Sequence, residues 1–278
     1  MLNYLIQNKA IAILLMTAYF FGLVYFHDTA TVAADWLKYK LTITYYNPVL
    51  LVSGLGFSLL IAFSLWMKVR ERPELRIFLI WFLITILFML LALLSMMVVN
   101  MEAIHYLQYA ILAILVFPVF RRFNDAFVLT ATLGILDEIY QYLVLNPTFN
   151  YFDFNDIILN MLGAGAGLLF IAVNIAPDIK PPRKWYSSSS FIFLSIVIFL
   201  GIIFSVQLYV SFFPVPGNFE GWHWFSLYRQ GLPDEFWTFL YRERYYHILR
   251  PWEGIGMMVF LTLFYGIIDY IYQKIIHD

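Results

Sequence analysis

The chain reads as all-α, a polytopic integral membrane helical bundle of about eight transmembrane helices with both termini cytoplasmic. Its composition is the first reason. Of 278 residues, 62% are hydrophobic and only 13% charged, with a mean hydropathy of +0.77, whereas soluble domains carry about 25% charged residues. Aromatic residues, at 20%, suit a chain that meets two water–lipid interfaces, where Trp and Tyr concentrate. The third reason is a series of apolar stretches near the ~20 residues needed to cross the hydrocarbon core. The chain contains no Cys, which excludes disulfides, thiolate metal sites and a Cys nucleophile. Membrane lipids are the expected surroundings, and no nucleic acid is expected as a partner.

In chain order the stretches fall near 9–26, 48–67, 76–99, 103–119, 126–145, 155–175, 191–213 and 255–272. The first is read as a helix rather than a signal peptide, because Lys9 is the only early basic residue and a signal needs a positive n-region. The third is apolar almost throughout. The fourth and fifth are less so, which places them inside the bundle. Asn47-Pro48, Asn146-Pro147, Pro181-Pro182, Pro214 to Gly217 and Pro251 to Gly254 all fall outside the spans, where irregular backbone is tolerated. Residues 1–75 hold two N-terminal helices, 76–176 a four-helix core, and 177–278 two C-terminal helices joined by a long outer connection, 214–253. Within that connection the stretch from Pro233 to Arg250 reads as an interfacial helix, with Pro233 in the first turn, Asp234 and Glu235 at the positive end of the dipole, and Pro251 as terminator.

Basic residues orient the bundle. Lys9, Lys68, Arg70, Arg72, Arg76, Arg121, Arg122, Lys180, Arg183, Lys184 and Lys274 fall on one face, eleven of the 17 Lys and Arg. By the positive-inside rule that face is cytoplasmic. The expected location is a bacterial cytoplasmic (inner) membrane.

Against this background Asp137 and Glu138 stand out, side by side in an apolar run. Charges at membrane depth are costly and mark functional sites. The topology gives them neighbours. The fourth span opens on the outside with Glu102, His105 and Tyr109, spaced three and four apart and so on one helix face. The fifth adds Asp137, Glu138 and Gln141 in its outer half. The sixth opens with Asp153, Asp156 and Asn160, and the same stripe continues through Gly163 and Gly167. These residues converge on an outward-facing cavity, and the small residues below permit close helix packing. Asp153 reads equally well as a helix N-cap, and His105 as an interhelical hydrogen bonder.

His105 with Tyr109, then Asp137-Glu138-Ile-Tyr-Gln141, then Asp156-Ile-Ile-Leu-Asn160-Met-Leu-Gly163 form an ordered set that resembles the VanZ-like membrane protein family over about residues 76–175. Two features differ from the family's pattern. Glu102 stands where the family usually has Lys, and Asn146 to Tyr151 supply no Arg where one is usual. The site is thereby more acidic. Arg242, Arg244 or Arg250 of the outer connection, or a divalent cation, are candidates to replace the lost charge. The resemblance implies a cell-envelope role, since the family is named for a protein conferring resistance to a glycopeptide antibiotic.

The leading expectation is an envelope protein that binds, and in an enzymatic version modifies, a lipid-linked envelope substrate. Asp137, Glu138 and His105 would then be the catalytic groups. Glu102, Tyr109, Gln141, Asp153, Asp156, Asn160, Arg242 and Arg244 would bind the substrate. The alternatives are a proton-coupled transporter or flippase, and a noncatalytic membrane scaffold subunit.

Overall fold

A computed structural model describes residues 2–97, 100–145, 152–174, 179–181, 183–205, 210–211, 225–228, 235–239 and 245–277. The described residues are helical apart from turns and two short strand pairings. Helices α1 (Leu2–Gln7), α2 (Lys9–Tyr25) and α3 (His27–Glu71) come first. The long α3 is interrupted at Thr42, whose φ of 56° and ψ of 156° lie outside helical space. There follow α4 (Arg76–Ser95), α5 (Ile104–Phe120), α6 (Phe123–Tyr140), α7 (Phe154–Asn174), α8 (Ser189–Ser205), α9 (Pro251–Gly266) and α10 (Ile268–His277).

Five helical segments are long and apolar enough to cross a bilayer: Thr44–Glu71, Pro73–Ser95, Phe123–Val144, Phe154–Asn174 and Pro251–Ile275. The remaining three expected stretches form the apolar helices Lys9–Tyr25, Ile104–Phe120 and Ser189–Phe204, none longer than 17 residues. At 1.5 Å per residue such a helix is about 25 Å long, short of the ~30 Å hydrocarbon core when taken alone.

Helix α7 is the axis of the bundle. In its apolar window 89% of residues are buried, against 6% for Thr44–Glu71, and it packs on α4, α5, α6 and α9. Glycines set the spacing. A Cβ on Gly163 would sit 2.5 Å from the Tyr106 carbonyl oxygen, and one on Gly167 would sit 2.4 Å from that of Ala110. The backbones of α5 and α7 therefore touch along a four-residue glycine repeat, as small residues permit in membrane bundles. On another face, Gly165 receives the ring of Tyr265 from α9, whose hydroxyl pairs with Thr85 of α4 at 2.9 Å. Helix α5 answers with Tyr109, Leu112, Ala113 and Val116, all buried, at the spacing of one helix face.

Both ends of the core are held by side chains that saturate backbone groups. At the end bearing Arg121 and Arg122, Asp269 of α10 accepts hydrogen bonds from the Phe123 and Asn124 amides at 2.6 and 2.9 Å. It thus caps α6 from another helix. At the other end, the Asn155 amide donates to the carbonyls of Met96 and His247 and accepts from the Leu249 amide, each at 2.9 Å.

That clamp accompanies a correction. The described residues of the stretch from Pro233 to Arg250, 235–239 and 245–250, do not form the expected interfacial helix. Among its described residues, Thr238 and Tyr246 pair as an antiparallel bridge, and the His247 amide donates to the Ser95 carbonyl at 2.6 Å. Tyr246, His247, Ile248 and Leu249 are all buried in succession. A surface helix would turn at least one of four consecutive residues outward, whereas an extended segment wedged between helix ends buries them together and takes its hydrogen bonds from neighbours. His247 stacks on Phe236 at 3.9 Å between ring centres, and its Nε2 lies 3.0 Å from Glu253. Elsewhere, Val210–Ser211 pairs in parallel with Phe225–Ser226.

Two outcomes follow. Gly163→Leu, which drives a side chain into the α5 backbone, is expected to cost about 1–3 kcal/mol or more as overpacking does, measured as a lowered thermal midpoint in detergent. Asn155→Ala leaves three buried backbone groups without their partner. It is expected to expose residues 225–250 to protease at a temperature where the native chain resists, since each buried unpaired group costs about 1–3 kcal/mol.

Candidate functional site

The site is built where α5, α6 and α7 meet near the Asn155 clamp. The glycine contact holds the first turns of α5 and α7 side by side, so Asn160 reaches across to His105. Their Oδ1 and Nδ1 atoms are 2.9 Å apart. With the Asn160 carbonyl oxygen accepting, Nδ1 carries the proton, and Nε2 is left facing the Asp156 carboxylate at 3.7 Å. An imidazole fixed in this way by a second group is set to exchange a proton through its other nitrogen.

Helix α6 approaches the same spot with a glycine in front. A Cβ on Gly134 would lie 3.1 Å from the Tyr109 ring and 3.3 Å from the Asn160 amide nitrogen. One turn further on, Asp137 accepts a hydrogen bond from the Tyr109 hydroxyl at 3.0 Å. Glu138 accepts from Gln141 at 3.4 Å. Here the helix changes character: the Gln141 amide bonds to the carbonyls of both Asp137 and Glu138, and residues Gln141–Leu145 continue as a π turn. Widened turns of this kind occur disproportionately at functional sites.

Asp137, Glu138, His105 and Asn160 are all buried. The carboxyl groups of Asp156, Asp137 and Asp153 all act electrostatically on Glu138, so four acidic groups are clustered at this end of the bundle. Asp153 is also the N-cap, accepting from the Asn155 amide at 2.9 Å. Two buried polar atoms in this cluster have no hydrogen-bond partner, Asp137 Oδ1 and Asn160 Nδ2.

Of the residues singled out from sequence, His105, Tyr109, Asp137, Glu138, Gln141, Asp153, Asp156 and Asn160 come together. Glu102 sits in a 3₁₀ turn, Asn100–Ala103, and acts on Tyr46 and Tyr106. Arg242 and Arg244 lie outside the described residues. Among the described residues, no group of three or more His, Asp or Glu is arranged to hold a metal ion, so the divalent cation has no support in the geometry. Two contributors went unread in the sequence, Gly134 and Asn155. Gly134 lies three residues before Asp137, and its spacing was available as a signal. Asn155 was hidden between two aspartates that drew the attention.

Comparison with protein-family models, with curated proteins and with solved structures returns no match. The reading of the site therefore rests on its chemistry.

That chemistry makes a spectroscopic prediction. In ¹⁵N-histidine NMR of the full chain, His105 is expected to carry a proton on Nδ1, either as that neutral tautomer or as imidazolium. Asn160→Leu should abolish the preference, and an Nε2-only tautomer in the unaltered protein would contradict the assignment.

Proposed function

We propose that this chain is a VanZ-like cell-envelope protein of the bacterial inner membrane that binds a lipid-linked envelope substrate at the His105–Asp137–Glu138–Asn160 cluster. In this reading eight helices cross the membrane, both termini are cytoplasmic, and the cluster opens outward. The distribution of Lys and Arg supports that orientation, with eleven of 17 on the opposite face. The resemblance in residue order from His105 to Gly163 supports the family.

The observation that carries the binding reading is the pair of unpartnered atoms. Asp137 Oδ1 is an acceptor and Asn160 Nδ2 a donor, and burying either without a partner costs about 1–3 kcal/mol. In this reading a ligand hydroxyl donates to Asp137 Oδ1 or accepts from Asn160 Nδ2. Four carboxylates around it disfavour an anionic group, so the part of the substrate that enters is neutral and hydroxylated or carries an amine. His105, with Asp156 at its free nitrogen, supplies an acid–base group to such a hydroxyl.

Proton-coupled transport is less well supported. From Met161 to Val173, α7 carries only apolar residues and glycine, so the polar stripe stops short of the other face, whereas alternating-access sites lie near the midplane.

Mass spectrometry of lipid copurified with the full chain tests the proposal. The unaltered protein is expected to retain a hydroxyl- or amine-bearing lipid. Asp137→Asn with Glu138→Gln should reduce that retention about tenfold or more, as loss of charge-assisted hydrogen bonds does, while the thermal midpoint stays in place. Undiminished retention in the folded double variant would defeat the proposal.

A further inference from the structure

A second site lies at the other end of the bundle. Fourteen residues of α6 separate Phe123 from Asp137, about 21 Å at helical rise. There, between α6, α8 and α9, a cavity of about 450 Å³ opens, within the usual range for small-ligand sites. One side is apolar, formed by Phe191, Leu194, Leu263 and Ile267. Leu263 and Ile267 are also exposed on the outer surface of the bundle, so this wall runs out to where acyl chains would lie. The other side is polar and includes Arg122, Arg183 and Ser188.

Charge decides what fits. Two carboxylates line the cavity, and both are turned to internal tasks. Asp269 spends its oxygens on the Phe123 and Asn124 amides. Asp125 is buried and receives Ser189 on one oxygen, and Arg122 and Arg183 on the other at 3.4 and 3.3 Å. The Arg183 side chain is nevertheless 42% exposed. A guanidinium has five donors in a planar fork, and the contact with Asp125 leaves most of that fork toward the opening. Lys180 and Lys184 flank it in sequence, and the Lys180 backbone amide donates to the Arg121 carbonyl at 2.9 Å, tying the connection to the end of α5. The exposed charge at the rim is the Arg183 guanidinium, its counter-charge Asp125 being buried, while the wall is apolar.

We infer that this cavity binds an anionic phospholipid, with Arg183 and Arg122 on its phosphate and one acyl chain against Leu194, Leu263 and Ile267. Basic pockets between transmembrane helices on the cytoplasmic side suit such headgroups, and arginine forks match phosphate oxygens. Occupancy would pin the 179–189 connection to α6 and α9, since the same arginines hold Asp125 and the Pro181 carbonyl. The inference needs the bilayer setting but not the ligand assigned to the carboxylate cluster.

Native mass spectrometry of the full chain, with phosphatidylglycerol or phosphatidylcholine added at equal concentration, tests it. Phosphatidylglycerol should be retained in clear preference. Arg183→Gln should lower its retention about fivefold, the usual worth of one cation near an anionic surface. Leu194→Trp, which fills the apolar wall and leaves both arginines, should lower it as well. Inorganic phosphate at millimolar concentration should not displace the lipid. Equal retention of the two lipids overturns the inference, as does unaltered retention in both variants. Displacement by inorganic phosphate also overturns it, in favour of a soluble anion. The headgroup preference of the unaltered protein decides the matter even if a variant fails to fold.

Discussion

The contact between the backbones of α5 and α7 is the constraint on which the rest depends. With Gly163 and Gly167 lying against the carbonyls of Tyr106 and Ala110, the two helices are as close as polypeptide allows, and their rotation and register are fixed together. Dispersion across such a contact is lost within an ångström of separation. Lipid offers no hydrophobic drive to restore it. Every polar pairing at the site inherits its geometry from this seam. His105 meets Asn160 because the seam lies one turn below them, and Tyr109 reaches Asp137 because Gly134 lets α6 close in on the same pair.

Much of this was legible in the sequence because helical spacing and membrane cost act locally. The depth of Asp137 and Glu138, the His105–Tyr109 spacing and the stripe from Asp156 through Asn160 to Gly163 can all be counted along the chain. What could not be counted was long-range satisfaction of backbone groups. Asn155 serves Met96, His247 and Leu249, and Asp269 serves Phe123 and Asn124; nothing in the flanking residues announces either partner. The same gap explains the connection between α8 and α9. Pro233 and Pro251 bracket a stretch with sound helix signals, yet burial of Tyr246 to Leu249 outweighs them, because tertiary contacts override weak local propensity.

The two ends of α6 solve opposite electrostatic problems. At the Phe123 end, buried acidic groups are met by amides, a serine and two arginines, of which Arg183 stays partly exposed. At the Asp137 end, carboxylates face one another with one histidine and two neutral amides between them. A helix with its acids quenched at one end and crowded at the other carries an asymmetry that the net charge of −1 conceals.

The Asn155 clamp has a consequence for how the chain assembles. Its partners His247 and Leu249 lie 92 and 94 residues further along, beyond α8 and near the end of the long connection. While the protein is being made, the first turn of α7 enters the bundle before those partners exist, and its amide has only Met96 to hold. The end of the bundle beside the carboxylates is therefore sealed by one of the last segments to be synthesised. A chain truncated before His247 would leave the Asn155 amide with Met96 alone, however well the earlier helices had packed.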